Sequence, residues 1–201
     1  MKLPNATYVG PAADDHALLD ELPRGLREFL SSANGIVAYR GGLHVRGACV
    51  APAWHSLRHA WHGDNAFHRS YEQVLVGDIP FAEDAVGDQW LLRDGLVVRL
   101  RAETGEVEPL GLDWVEFWEA VDADPVETLG LHPLLQYEHE GSYLEPGQLL
   151  SVYPPFCMEE ARNGVSLRAI STHDRLAFLA ELAAVISAVP DGAEVKFDFV
   201  D

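Results

Sequence analysis

Two groups of side chains in this sequence combine residue type and spacing in ways that could support chemistry. The first is His55, His59 and His62, in the segment AWHSLRHAWHG over residues 53–63. At about 100° per residue these histidines share one helical face, while Trp54, Leu57 and Trp61 share another, so the histidines are expected to face solvent or a partner. Neutral imidazoles four residues apart can hold zinc from one helix, but a catalytic site needs a third ligand and a base, as in His-Glu-x-x-His. Here Ser56-Leu57-Arg58 fills the interval and sets an arginine beside any metal. The expectation is therefore a solvated histidine face, with no native metal.

The second group is Glu83, Asp84 and Asp88, placed by the pattern around them at a turn between two strands. Their oxygens suit a hard divalent cation. Ordinary turn chemistry, in which the carboxylates accept from nearby backbone amides, is the preferred reading. A turn on a rigid sheet can also display acids to a partner, which makes Glu83, Asp84 and Asp88 the provisional partner-binding residues. No Gly-x-Ser-x-Gly elbow, phosphate loop, zinc knuckle or kinase-like set occurs. The chain reads as a binder and not an enzyme, with no catalytic residue and no cofactor.

The elements that must carry these residues centre on residues 79–110. Pro80 favours an extended Ile79, and Gln89-Trp90-Leu91-Leu92 and Leu96-Val97-Val98-Arg99-Leu100 flank an Asp94-Gly95 hairpin signal. Thr104-Gly105 supplies a second turn, and the result is a meander. Upstream, Asp14 or Asp15 caps a helix to Glu21, and Pro23 suits the first turn of a helix bearing Leu22, Leu26, Phe29 and Leu30. Asn34-Gly35 stops that helix, and strands follow on either side of Gly41-Gly42. Downstream, Asp113 and Glu116 form a capping-box pattern, and Asp124-Pro125 opens a short helix. Residues 148–153 and 165–170 read as strands, Thr172 or Asp174 caps the longest helix, and 195–199 alternates as a last strand.

The ordered set Phe81-Ala82-Glu83-Asp84, Gly87-Asp88, two apolar strands about Gly95, and Thr104-Gly105-Glu106 resembles the sheet core of the SUKH superfamily. Leu22-Pro23, Leu26, Phe29-Leu30 and Asn34-Gly35 are similar to that family's opening helix and its stop. The superfamily includes yeast cell-wall-synthesis regulators and bacterial immunity proteins of polymorphic toxin systems. The resemblance is strongest over residues 20–120. It implies an α+β fold, an antiparallel or mixed sheet with helices packed on one side and at the ends. It also implies protein binding: an immunity protein that neutralises a cognate toxin, or a regulatory or scaffold module with an endogenous partner. A metal-dependent enzyme built on the histidine helix is the third alternative.

Length and composition agree with a single domain over residues 1–201, in which the strand, helix and strand of 148–201 complete the same sheet. A chain of 201 residues buries roughly 70% of its unfolded surface without staples. Cys49 and Cys157 have no ligand-like spacing and read as small buried apolar residues of a cytoplasmic protein. No signal core or run of ~18 apolar residues marks a membrane segment. With 14 Lys and Arg against 32 Asp and Glu, the net charge of -18 disfavours nucleic acid and favours a basic protein partner such as a toxin domain.

Overall fold

The computed structural model describes residues 4–190, and its centre is the expected meander. Asp94 and Gly95 both take positive φ, 50° and 85°, the geometry a two-residue hairpin needs to match strand twist. They join β5 (Gln89–Arg93) to β6 (Leu96–Arg101), while β4 (Ile79–Asp84) and β7 (Glu106–Asp113) pair on either side. Phe81 is bulged out of β4 between Pro80 and Ala82, and opposite Val97 and Val98 the irregularity lies in β7, where Leu110 and Gly111 have no register partner. Three strands precede them: β1 (Tyr8–Val9), β2 (Ile36–Ala38) and β3 (Leu43–Val45). All seven are antiparallel and lie in chain order, with helices inserted in the long connections from Val9 to Ile36 and from Val45 to Ile79.

Helices cover both faces of this sheet, not one as the resemblance implied. Trp90, Leu92 and Val97 point to one face, where they meet Leu18 of α1 (His16–Glu21), Leu26 and Leu30 of α2 (Arg24–Ser32), and Phe117, Trp118 and Val121 of α5 (Trp114–Ala123). Leu91, Val98 and Leu100 point to the other and meet Phe67 of α4 (Phe67–Ser70) with Leu179 and Ala183 of α8 (Thr172–Ser187). The cause lies in the strands themselves. Trp90-Leu91-Leu92 and Leu96-Val97-Val98 are continuous apolar runs, and a strand without alternation needs cover on both faces. The capping box of Asp113 with Glu116 and the Asp15 and Asp124 caps form as expected, but α8 is capped by Ser171 and not by Thr172 or Asp174.

A second correction concerns the carboxyl-terminal part. β8 (Gln148–Tyr153) pairs only with β9 (Ser166–Ser171), forming a separate two-stranded sheet beyond α6 (Pro125–Leu129) and α7 (His132–His139). Neither edge of the main sheet favours another strand: β1 has two residues, and β7 carries Pro109, which has no N–H to give. The small sheet is tied on by Leu150 N–H donating to Ala85 O at 2.7 Å and by Ala85, Leu134, Leu144 and Leu150 packed together. The strand expected at 195–199 lies outside the described residues.

Candidate functional site

Of the acids singled out in the sequence, Asp84 and Asp88 meet at the β4–β5 turn, and all three, Glu83 included, are buried. Asp84 Oδ1 accepts from the backbone N–H groups of Val86, Gly87 and Asp88 at 2.9, 2.8 and 2.9 Å, the turn chemistry anticipated for these residues. Asp88 Oδ1 accepts from Ala102 N–H at 2.8 Å. Arg99 lies 3.1 Å from Asp84 Oδ2 and 3.0 Å from Asp88 Oδ2, clamping the pair from β6. Burial, and then the Asp88 charge, push Asp84 up to about 7 against the pull of Arg99. Display of these acids to a partner is thus corrected: the same turn that collects them also encloses them, because each carboxylate answers backbone amides or an arginine from a neighbouring strand.

Glu83 points to the opposite face, where a polar network crosses three central strands. Its register partners are His44 on β3 and Gln89 on β5, and Arg46, two residues past His44, joins them. Arg46 Nη2 donates to Glu83 Oε2 at 2.6 Å and to Gln89 Oε1 at 2.7 Å, and Nη1 donates to Pro80 O at 2.9 Å. Gln89 Nε2 completes the ring by donating to Glu83 Oε2 at 3.2 Å and to Gly87 O at 2.7 Å. Burial acts to raise the Glu83 carboxyl, but Arg46 and then His44 outweigh it and hold the group below its usual range.

His55 belongs to this network and not to a histidine helix. The helix α3 (Leu57–His62) begins only after it, with Ser56 as its cap, and His55 sits in a preceding 3₁₀ turn at 0% exposure. Its Nδ1 is 2.8 Å from His44 Nε2, its Nε2 is 2.9 Å from Asn34 O, and His44 Nδ1 is 2.7 Å from Glu83 Oε1. Glycines make room for the ring. A Cβ at Gly10, Gly35 or Gly47 would fall 2.4, 2.4 or 2.7 Å from a His55 ring atom, so the Asn34-Gly35 helix stop also forms one wall of a histidine slot.

The contacts from Glu83 through His44 and His55 to Asn34 each need a proton. Two neutral rings and an ionised Glu83 supply one fewer than the chain requires, since each neutral imidazole donates from only one nitrogen. Burial lowers His44, and burial followed by the nearby His44 lowers His55 to about 4. Both rings are therefore neutral at pH 7, and one of the two contacts of His55 lacks its proton. The relay is sealed from solvent, with Glu83 at 0% and His44 at 5% exposure. It carries structural order and offers no ring nitrogen to a ligand.

The remaining histidines separate from it. His59 is exposed on the wall of a cavity, and His62 stacks on Trp61 with centroids 4.2 Å apart and stands 3.6 Å from Glu21. Since both nitrogens of His55 are engaged, the three histidines do not converge. Among the described residues, no group of three or more His, Cys, Asp or Glu side chains is placed to hold a metal ion. The cavity, about 450 Å³, lies between α3, α4 and α8, with Trp54, Phe67, Tyr71 and Leu176 on its walls and buried Arg46 at its base. Sequence reading missed this network because its members come from separate strands. The polar residues His44, Glu83 and Gln89 within otherwise apolar strands, with Arg46 just past β3, were its only signal.

Cys49 is buried as expected, but Cys157 is exposed. Burial, then Asp14 and Asp15, raises the Cys49 thiol to about 11; partial burial, then Glu103, does the same to Cys157. Neither is primed as a nucleophile. No helix among the described residues is long and apolar enough to cross a membrane. Compared with family models, curated proteins and solved structures, the chain matches none.

Proposed function

We propose that this protein is a protein-binding module of the SUKH type, an immunity protein that binds and occludes a toxin domain with a basic surface. One observation carries the reading. Between Arg101 and His132 the chain has no Lys, Arg or His, and Glu106, Glu108, Asp113, Glu116, Glu119, Asp122, Asp124 and Glu127 are all exposed along β7, α5 and α6. Arg101 pairs with Glu108 and His132 lies 3.6 Å from Glu127 at the two ends of this stretch, but the surface between is acidic, and such a surface on rigid elements accelerates encounter with a partner of opposite sign. Asp84 and Asp88 tie the β4–β5 turn to β6 through Arg99, Glu83 ties β4 to β3 and β5 on the opposite face, and none of the three is a direct contact in this reading. Binding, and not turnover, fits a polar network whose groups are paired with one another.

The test is co-expression with each toxic domain encoded beside the gene, followed by association kinetics across a salt series. Asp113, Glu116 and Asp124 cap helices, so the variant to use is Glu119→Gln with Asp122→Asn and Glu127→Gln. Its association should be slower and less salt-dependent, with dissociation little changed. Unchanged association removes this face from the interface. If no toxin is neutralised while an endogenous partner co-purifies, the scaffold reading replaces immunity.

A further inference from the structure

Among the described residues two arginines are fully buried, Arg46 and Arg175, and they differ in what meets them. Arg46 has acceptors for both of its Nη atoms. Arg175, in the first turn of α8, is 0% exposed and donates through Nε to Val86 O at 3.0 Å, but Nη1 and Nη2 have no acceptor. Glu103 Oε1 stands 3.5 Å from Nη2, an ion pair at the outer limit of hydrogen-bond distance, and that oxygen has no closer donor. Its mate Oε2 is held by Cys157 N–H at 2.9 Å. Unmet donors on a cation and an unmet acceptor on an anion thus lie side by side, although buried polar groups are ordinarily paired. Both residues line one hollow of about 210 Å³, together with Asp88, Arg101, Glu106 and Phe156.

We propose that this hollow is a binding site for a carboxamide group, whose C=O accepts from Arg175 Nη1 or Nη2 while its N–H donates to Glu103 Oε1. The charges of the lining select this chemistry. Arg101 and Arg175 face Asp88, Glu103 and Glu106, an excess of negative charge, and Arg101 is already engaged by Asp88 and Glu108. A carboxylate would set a further anion beside Glu103, and an ammonium would meet the Arg175 donors with no acceptor to offer. A carboxamide is neutral and brings one acceptor and two donors on a single planar group. Phe156, 46% exposed, gives the rest of the ligand an apolar surface to rest on. The group can come from a free small amide or from an Asn or Gln side chain of another protein. The site does not depend on the immunity reading.

The experiment uses the full chain labelled with ¹⁵N, titrated separately with acetamide, acetate and methylammonium. The signals followed are the backbone amides of Val86 and Cys157 and the Arg175 Nε–H. Acetamide should shift them saturably, with acetate at least about tenfold weaker, the effect of one unfavourable charge interaction of modest size. Glu103→Gln removes a negative charge from the wall, so acetate should tighten about tenfold on that variant, while acetamide should weaken because Cys157 N–H holds the one oxygen that glutamine keeps and turns its NH2 toward the hollow. N-acetylglutamine methylamide and free glutamine distinguish the sources: tighter binding of the first assigns the site to a protein side chain, and of the second to a free metabolite. Absence of any saturable shift with acetamide overturns the proposal, as does acetate binding the wild type as tightly as acetamide. If Glu103→Gln fails to fold, the wild-type comparison decides alone.

Discussion

Replacing Glu83 with glutamine should be among the most damaging conservative changes in this protein. The side chain keeps its volume and one acceptor oxygen, but it loses the carboxylate bonded to Arg46, at 2.6 Å and within a site where Glu83 is 0% exposed. The other acceptors of Arg46, Pro80 O and Gln89 Oε1, are neutral. A buried guanidinium is then left uncompensated, which costs about 3–5 kcal/mol when one partner of such a pair is removed. For a chain of this length each kcal/mol lowers Tm by about 2–4 °C, so a drop of about 6–20 °C is expected. Removing both charges tests the cause: Glu83→Gln combined with Arg46→Met should recover at least about half of the loss, because no unpaired ion remains. Urea unfolding followed by tryptophan fluorescence, with calorimetry for Tm, measures both variants. A single variant within about 1 kcal/mol of wild type would refute the reasoning. A double variant no more stable than the single would do so equally.

Acid should weaken the fold through His55. Its folded value of about 4 lies below the ordinary 6.5, so its contribution is complete above pH 6.5 and is lost as pH falls from 6.5 to 4, by about 3 kcal/mol at most. His55→Gln, measured by urea unfolding at several pH values, should flatten that segment of the profile; an unchanged slope assigns it to other groups. Gly47→Ala should cost about 1–3 kcal/mol by overpacking, since the new Cβ would lie 2.5 Å from Asn34 O and 2.7 Å from His55 Nε2. An alanine variant as stable as wild type would show that the slot is loose. Truncation after Gly164 removes Leu179 and Ala183 from the second face of the sheet and should abolish cooperative melting, whereas a well-protected fragment in amide exchange would show that the meander folds alone.

Much of the fold was legible because local chemistry specifies it. Asp94-Gly95, the Asp113 and Glu116 box, and Asp124-Pro125 each fix backbone geometry within a few residues, and each forms as read. What required several strands at once was not legible. The helical wheel over 53–63 placed His55 with His59 and His62, but Pro52 and the Ser56 cap delay α3 until Leu57 and leave His55 in a 3₁₀ turn that drives it inward. The slot that receives it is built from glycines at 10, 35 and 47, whose joint purpose appears only when the chain is folded. The burial of Glu83, Asp84 and Asp88 was hidden for the same reason. Whether an acid at a turn meets water or an arginine depends on Arg46 and Arg99, which lie far from it in sequence.

That pairing changes how the charge of the whole protein should be read. Glu83 and Asp84 are adjacent on one strand and so point to opposite faces, and each face supplies its own cation: Arg46 for Glu83, Arg99 for Asp84 and Asp88. The β4–β5 turn is therefore close to internally compensated, and the net charge of -18 has to be expressed elsewhere. The run without bases after Arg101 is where it emerges, on an edge strand and two capped helices. Arginines that could have offset this surface are instead committed to the interior, as Arg46, Arg99 and Arg175 are. The same allocation that stiffens the sheet thus leaves one flank acidic, and any partner attracted over a distance should arrive at β7, α5 and α6 and not at the turn.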